Sequence, residues 1–411
     1  MEKRPEQFWR ELIENKKLTS SWGIAFTVAS VWFGTHVGGG FASGNQIIGY
    51  FAKYGPITAL IFPIISMGIL AYVMHIMLKF ARLNGFTNYK DTYEALYPHP
   101  KMEILFEIFY IIIILAAVAA AVAGAGEVVA NFLKLEYVGM VRILCNLAVV
   151  ALLILLSIYG VKVVAAAATV LSVAIMITSG LIVITGLIAA NDGTLVGLLE
   201  HFKLEAVPYV NDIGNAVWRG IIVYAGFQCV SIPPMIAASG EMTTKGTGRA
   251  CFLGWLMNGI MLGLSGFMLA KWYPLLAALK AAGVEGFKNA TGIPNQTVLS
   301  LVGIQWLLLI FSVLLFSAFV STCVTLIFTM VQRFQGKLLP GVIKSEKLRS
   351  ILVAAIVIAI CFSISLLGLT TITTKLYGYD GYYAILVIIL PAFIWGIPKV
   401  RKLEAELKKT E

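Results

Sequence analysis

Gly38, Gly39 and Gly40 stand in a row in the middle of the first long apolar stretch, Trp22 to Phe51. A segment crossing a membrane must satisfy its backbone internally, because an unpaired N–H or C=O in hydrocarbon costs several kcal/mol. Glycine is the poorest helix former after proline. Three together at mid-membrane therefore predict a local unwinding, stable only where the freed backbone groups face protein or a polar cavity. Half-helices that meet at such a break present their dipole ends to a ligand. The competing reading is packing, since glycines also let neighbouring helices approach closely.

Composition supports a membrane reading of that stretch. Hydrophobic residues are 59% of the 411, charged residues 13%, and mean hydropathy is +0.88. These values predict a polytopic all-α membrane protein. The five cysteines all fall in apolar segments and are read as small core residues, with no disulfide expected. Residues 1–20 carry Phe8, Trp9, Leu12 and Ile13 on one helical face, with Arg4, Arg10, Lys16 and Lys17 around them. They read as an amphipathic helix on the membrane surface rather than a cleaved leader.

About 20 apolar residues cross a bilayer, and that ruler gives ten spans. They run approximately 22–52, 56–82, 102–133, 139–159, 161–190, 212–240, 249–273, 299–333, 349–369 and 378–398. With the N-terminus inside, 22 of the 31 basic residues fall on the inner side and nine on the outer, as the positive-inside rule requires. Both termini are then cytoplasmic, in a prokaryotic-type plasma membrane, with 21–398 as one transmembrane domain and 399–411 as a tail. The net charge of +10 is explained by the anionic inner leaflet and needs no nucleic acid.

An internal repeat joins residues 21–190 to 212–398. Val31-Trp32-Phe33-Gly34 opens the glycine break, and Val223-Tyr224-Ala225-Gly226 sits in span six. There the chain continues to Pro233-Pro234, which deprive the helix of N–H groups, so Phe227 to Ser231 are expected to be unwound. Five spans separate the two breaks, so the halves enter the membrane in opposite directions. Interrupted segments at matching places of two inverted halves point to a secondary transporter. The arrangement resembles the LeuT-type fold of the amino acid–polyamine–organocation superfamily. Val37-Gly38-Gly39-Gly40-Phe41-Ala42-Ser43-Gly44-Asn45-Gln46-Ile47 resembles the first-span signature of the YkvI-type membrane protein family, as Tyr224-Ala225-Gly226-Phe227-Gln228 resembles its sixth-span break. Asn45-Gln46 departs from the Gln-Glu of that family pattern.

Span eight holds Ala318-Phe319-Val320-Ser321-Thr322. At helical spacing the Ala318 carbonyl and two hydroxyls share a face, a set of oxygens suited to a hard cation. The same hydroxyls can instead bond their own preceding carbonyls. The resemblance implies a sodium site built from the backbones of Gly34, Val37 and Ala318 with the hydroxyls of Ser321 and Thr322. It also implies that a lysine on span five would replace that ion; the lysine there, Lys162, stands at the start of the span.

Glu127 reads as the one acid well inside a span, either a proton site or a group near enough to the outer end to reach water. His36 borders the first break, while Tyr224, Phe227, Gln228 and Ser231 line the second; with Gly38, Gly39 and Gly40 they form the expected solute site, the glycine amides receiving a carboxylate. No P-loop, HExxH or GxSxG accompanies them, so no enzyme chemistry is expected. The sequence points to a symporter for a small organic solute such as an amino acid or related zwitterion. Sodium is the expected coupling ion and a proton the alternative, with no other cofactor. A non-transporting receptor or a passive channel on the same fold remain the competing classes.

Overall fold

The computed structural model describes residues 19–36, 38–159, 161–337 and 343–410. The expected amphipathic helix over residues 1–20 lies almost wholly outside the described residues, as does Val37. The chain is an α-helical integral membrane protein. In order, its helices are α1 (Trp22–His36), α2 (Gly39–Ala42), α3 (Asn45–Tyr50), α4 (Pro56–Asn84), α5 (Tyr89–Leu96), α6 (Glu103–Phe132), α7 (Gly139–Tyr159), α8 (Val161–Asn191) and α9 (Thr194–Phe202). They continue with α10 (Ile213–Ala238), α11 (Thr244–Ala281), α12 (Pro294–Val302), α13 (Gln305–Phe334), α14 (Glu346–Ser365) and α15 (Leu369–Leu407).

Among the described residues, nine helices are long and apolar enough to cross a membrane. The Trp22–Tyr50 segment is not one of them, because it is divided into α1, α2 and α3. Large apolar side chains such as Ile57, Met140, Val170 and Leu386 stand exposed around the bundle, where lipid would cover them. Span seven is longer than expected, Thr244–Ala281 rather than 249–273, and two further spans start elsewhere. Residues 294–302 form the separate helix α12, so the eighth span starts at Gln305 rather than 299. The last span begins at Leu369, nine residues before the expected 378, because Thr370 to Lys375 are polar in sequence but helical in the fold.

Span six corrects the expectation of an unwound Phe227–Ser231. α10 is helical throughout and changes pitch instead: π at Trp218–Val223, α at Tyr224–Phe227, 3-10 at Gln228–Ser231, then α again. Pro233 and Pro234 sit at the start of the last piece, where missing N–H groups cost least. Tightening the preceding four residues to i→i+3 bonding absorbs the two lost i→i+4 donors without leaving the helix.

Inner helices approach closely at glycines. α10 and α15 cross at Gly226 and Gly381; a Cβ on Gly381 would stand 2.5 Å from the Val223 carbonyl oxygen. α11 packs along α4 and α1, and α13 against α6 and α8. We predict that Gly381→Val lowers stability by about 1–3 kcal/mol through overpacking, read as a lower melting midpoint of the detergent-purified protein. An unchanged midpoint would mean that the two helices do not meet at this point.

Candidate functional site

The first span leaves its helix at His36 and bends at Gly38. Gly39 and Gly40, expected to be non-helical, instead start the single turn α2, where the Gly38 carbonyl accepts from Phe41 N at 3.0 Å and Ala42 N at 3.2 Å. A second kink follows at Gly44, whose φ of 82° is left-handed. Glycine is required there twice over, because a Cβ would also stand 2.8 Å from Leu269 and 2.9 Å from Pro294.

Opposite that kink, the segment leading into α12 closes over the span as a lid. Asn295 donates its amide to Ser43 O at 3.1 Å and its Nδ2 to Ala42 O at 2.8 Å. Asn45 Nδ2 donates to the carbonyls of Thr291 and Gly292 at 3.2 and 2.9 Å and to Thr370 Oγ1 at 2.8 Å, while its Oδ1 accepts from Thr373 at 2.5 Å. At the other end of the bundle Thr19 exchanges backbone bonds with Glu241 and Thr243, Arg82 donates to Gly240 O at 2.6 Å, and Arg249 reaches Ser20 O. Both ends are therefore latched.

Between the latches lies a buried polar chain joining three spans. Asn258 on α11 donates Nδ2 to Gly254 O at 2.8 Å, so its Oδ1, 2.6 Å from His36 Nδ1, accepts there. That assigns the ring proton to Nδ1 and leaves Nε2 to accept from the Tyr224 hydroxyl at 2.9 Å. Gln46 Oε1 lies 3.4 Å from the same hydroxyl. Having given its proton to His36, the hydroxyl has none left for Gln46. Around the chain, ring centroids of Phe41 and His36 are 5.6 Å apart, Phe51 and Tyr224 4.8 Å, Tyr224 and Phe227 4.8 Å, and Phe227 and Tyr377 5.2 Å. The Trp32 indole nitrogen and the Ser231 hydroxyl are buried in this region with no hydrogen-bond partner among the described residues.

The structure thus brings His36, Tyr224, Phe227 and the glycine bend together, with Gln228 and Ser231 on the adjoining 3-10 turn. Gly40 faces the Gln46 side chain, which fills the place a Cβ would take. Ser321 Oγ donates to Ala318 O at 3.0 Å, the local bond that hydroxyls on helices commonly make. Thr322 Oγ1 faces the bend, 3.9 Å from where a Cβ on Gly38 would stand. Gly34 lies on α1 two residues before its end.

Glu127 stands apart from this site. It is 2% exposed, so it does not reach water as one reading held. Its Oε1 accepts from Asn289 at 2.5 Å, and it shares a cavity of about 180 Å³ with Arg142, Lys280 and Thr370 under the lid. It is also not the one acid inside a span: Asp380, on α15, is 2% exposed with both carboxyl oxygens unpartnered among the described residues. The late start assigned to the last span hid it. Asn45 and Gln46, noted in sequence only as departures from a pattern, prove to hold the lid and meet Tyr224. Asn258 carried no sequence signal beyond being polar in an apolar helix.

No family model matches the chain, and no curated protein matches it. Solved structures do. The chain is similar to MhsT, crystallised in complex with L-phenylalanine, at 15% identity over 95% of this chain and 96% of that one, with a TM-score of 0.53. It is similar to a Na+-coupled sialic acid symporter in its substrate-bound outward-open state, at 15% identity over 95% of this chain and 83% of that one, with a TM-score of 0.54. At these identities the likeness shows the fold, the LeuT-type arrangement read from the sequence.

Proposed function

We propose that the chain is a secondary active symporter, sodium-coupled, for a small organic solute such as an amino acid or related zwitterion. The observation that carries this reading is the bend at Gly38. It lies half-buried between two latched ends, faced by Thr322 on one side and flanked by the His36–Tyr224 chain on the other. Breaking one latch at a time would expose the bend to one side at a time, which is alternating access. The solute would lie against Gly38, Gly39, Gly40, His36, Tyr224, Phe227, Gln228 and Ser231. The unpartnered hydroxyl of Ser231 is a ready donor for its carboxylate. Sodium would take oxygens from Gly34, Val37, Ala318, Ser321 and Thr322; the Ser321 hydroxyl, having spent its proton on Ala318, keeps lone pairs for a cation. The two similar structures, one in complex with L-phenylalanine and one a Na+-coupled sialic acid symporter, agree with this reading, as does the first-span resemblance to the YkvI-type family. A proton in place of sodium is the second reading, favoured by the buried Glu127 in its cavity.

If sodium binds there, it stabilises the folded protein by mass action, about 2.7 kcal/mol at a hundredfold excess over Kd. We expect Ser321→Ala with Thr322→Ala to remove the sodium-dependent shift in melting midpoint while the sodium-free midpoint stays near wild type. A sodium shift that survives in the double variant places the ion elsewhere.

For the solute, a thermal-shift panel of amino acids in sodium buffer should show at least one responder. Tyr224→Phe keeps the ring and removes the hydroxyl, and should weaken that responder about tenfold, equivalent to ~1.4 kcal/mol. Undiminished affinity would take the hydroxyl out of the site. Binding with no uptake of the responder into proteoliposomes would make the chain a receptor.

A further inference from the structure

Asp380 lies in the middle of α15, next to the glycine that crosses α10, and both carboxyl oxygens are buried without a partner among the described residues. The titratable groups within its electrostatic reach are Cys229 on the 3-10 turn of α10 and Tyr377 and Tyr383 on its own helix. None is basic. Of the other charged or titratable groups on elements packed against α15, Arg219 gives its guanidinium to Thr374 O at 2.7 Å and the Tyr50 ring, and Tyr224 is bonded to His36. On α6, Glu107 is paired with Arg333, Glu127 with Asn289, Tyr110 stacks on Phe106, and Glu103 is acidic. Nothing described supplies Asp380 with a positive charge. This separates it from Glu127, which has a donor on one oxygen and shares its cavity with Lys280 and Arg142.

A carboxylate left in that position would be an unpaired charge in a dry interior, which proteins avoid by neutralising the group. The polar atoms nearby are equally unclaimed: the hydroxyls of Ser231, two residues from Cys229, and of Tyr93, within electrostatic reach of Cys229, are buried without partners. α10 departs from α geometry at Trp218–Val223 and at Gln228–Ser231, and the second stretch, a 3-10 turn with poorer bond geometry, carries Cys229, which lies within the acid's electrostatic reach.

We propose that Asp380 is a proton-carrying site of the transport cycle. It holds its proton while Gln228–Ser231 is packed as seen here. When that segment swings away, water enters, the carboxyl O–H breaks, the proton passes to water, and the carboxylate left behind is solvated. Reclosing requires the proton back. The proposal rests on the alternating-access reading above, and makes proton movement part of the cycle alongside any sodium.

Two measurements test it without a transported solute, so its failure is distinguishable from failure of the symporter reading, which is tested by uptake. The first is infrared spectroscopy of the full chain in liposomes at neutral pH. A carboxylic-acid C=O band should be present in wild type, lost in Asp380→Asn, displaced in Asp380→Glu and retained in Glu127→Gln. An unchanged band in a folded Asp380→Asn overturns the proposal. So does a carboxylate band lost in Asp380→Asn that shifts between sodium chloride and choline chloride, which would mean that Asp380 holds a metal cation. The second uses Cys229, buried like the other four cysteines, as reporter. With Cys145, Cys251, Cys323 and Cys361 replaced by alanine, maleimide labelling of Cys229 should rise with pH several-fold more with Asp380 present than in Asp380→Asn. Equal rises, or no labelling of either at any pH, overturn it.

Discussion

A backbone that leaves its helix inside a membrane must find other partners, and in this protein the first span finds them in Asn45 and Asn295. The carbonyls of Ala42 and Ser43, released where α2 ends, accept from Asn295. The four side-chain hydrogen bonds of Asn45 tie the same kink to the lid and to α15. Two uncharged side chains thus satisfy backbone that hydrocarbon could not, and fasten the lid in the same act. The bend at Gly38 is tolerable because of this arrangement. Without it, the segment would either re-form a helix, closing the bend, or leave several polar groups unpaired.

The same rule governs two of the prolines within helices. Pro274 has no N–H for the Ala270 carbonyl, and the Tyr209 hydroxyl donates to it at 3.0 Å instead. Pro391 releases the Val387 carbonyl, and the Tyr97 hydroxyl takes it at 2.5 Å. In both cases a tyrosine from another element fills the gap, which also pins that element to the helix. Pro233 and Pro234 are handled differently, by tightening Gln228–Ser231 into a 3-10 turn. A 3-10 turn has poorer bond geometry than an α turn. The span that carries Tyr224 therefore contains a stretch that can change its winding at lower cost than its neighbours.

What the sequence revealed follows from which physical signals are local. Glycine runs and apolar length are local, so the division of the first span and most helix bounds were legible in residues alone. The effect of Pro233-Pro234 was half legible: the lost donors are a local fact, but whether a helix unwinds or tightens depends on what packs around it, and here Gly381 holds α10 against α15. Asp380 was missed because hydropathy cannot distinguish a polar helix start buried in protein from one in water; Thr370, Thr373 and Thr374 lower the score yet bond within the fold. The lid could not be read either, since Asn45 and Asn295 are 250 positions apart and neither carries a motif.

On the proposed reading, the two latches explain how a bound charge would direct the molecule. Each end is closed by a handful of hydrogen bonds, four at the lid and four around Thr19, Arg82 and Arg249. Net of water, each is worth about 1 kcal/mol, so the two closures are of comparable strength and neither end dominates by much. A ligand shifts such an equilibrium only through its differential affinity for the two states. Latches made of hydrogen bonds rather than ion pairs make the balance close; among the described residues they contain no carboxylate or imidazole that would respond to a proton. In the proposed cycle the responsive groups lie between them: the Thr322 hydroxyl facing the bend, and Asp380 on α15, within electrostatic reach of Cys229 on the 3-10 turn. Charge arriving or leaving there adds an electrostatic term in a dry interior, where it counts for more than at either wet end. In the proposed cycle that term decides which of two nearly balanced latches opens.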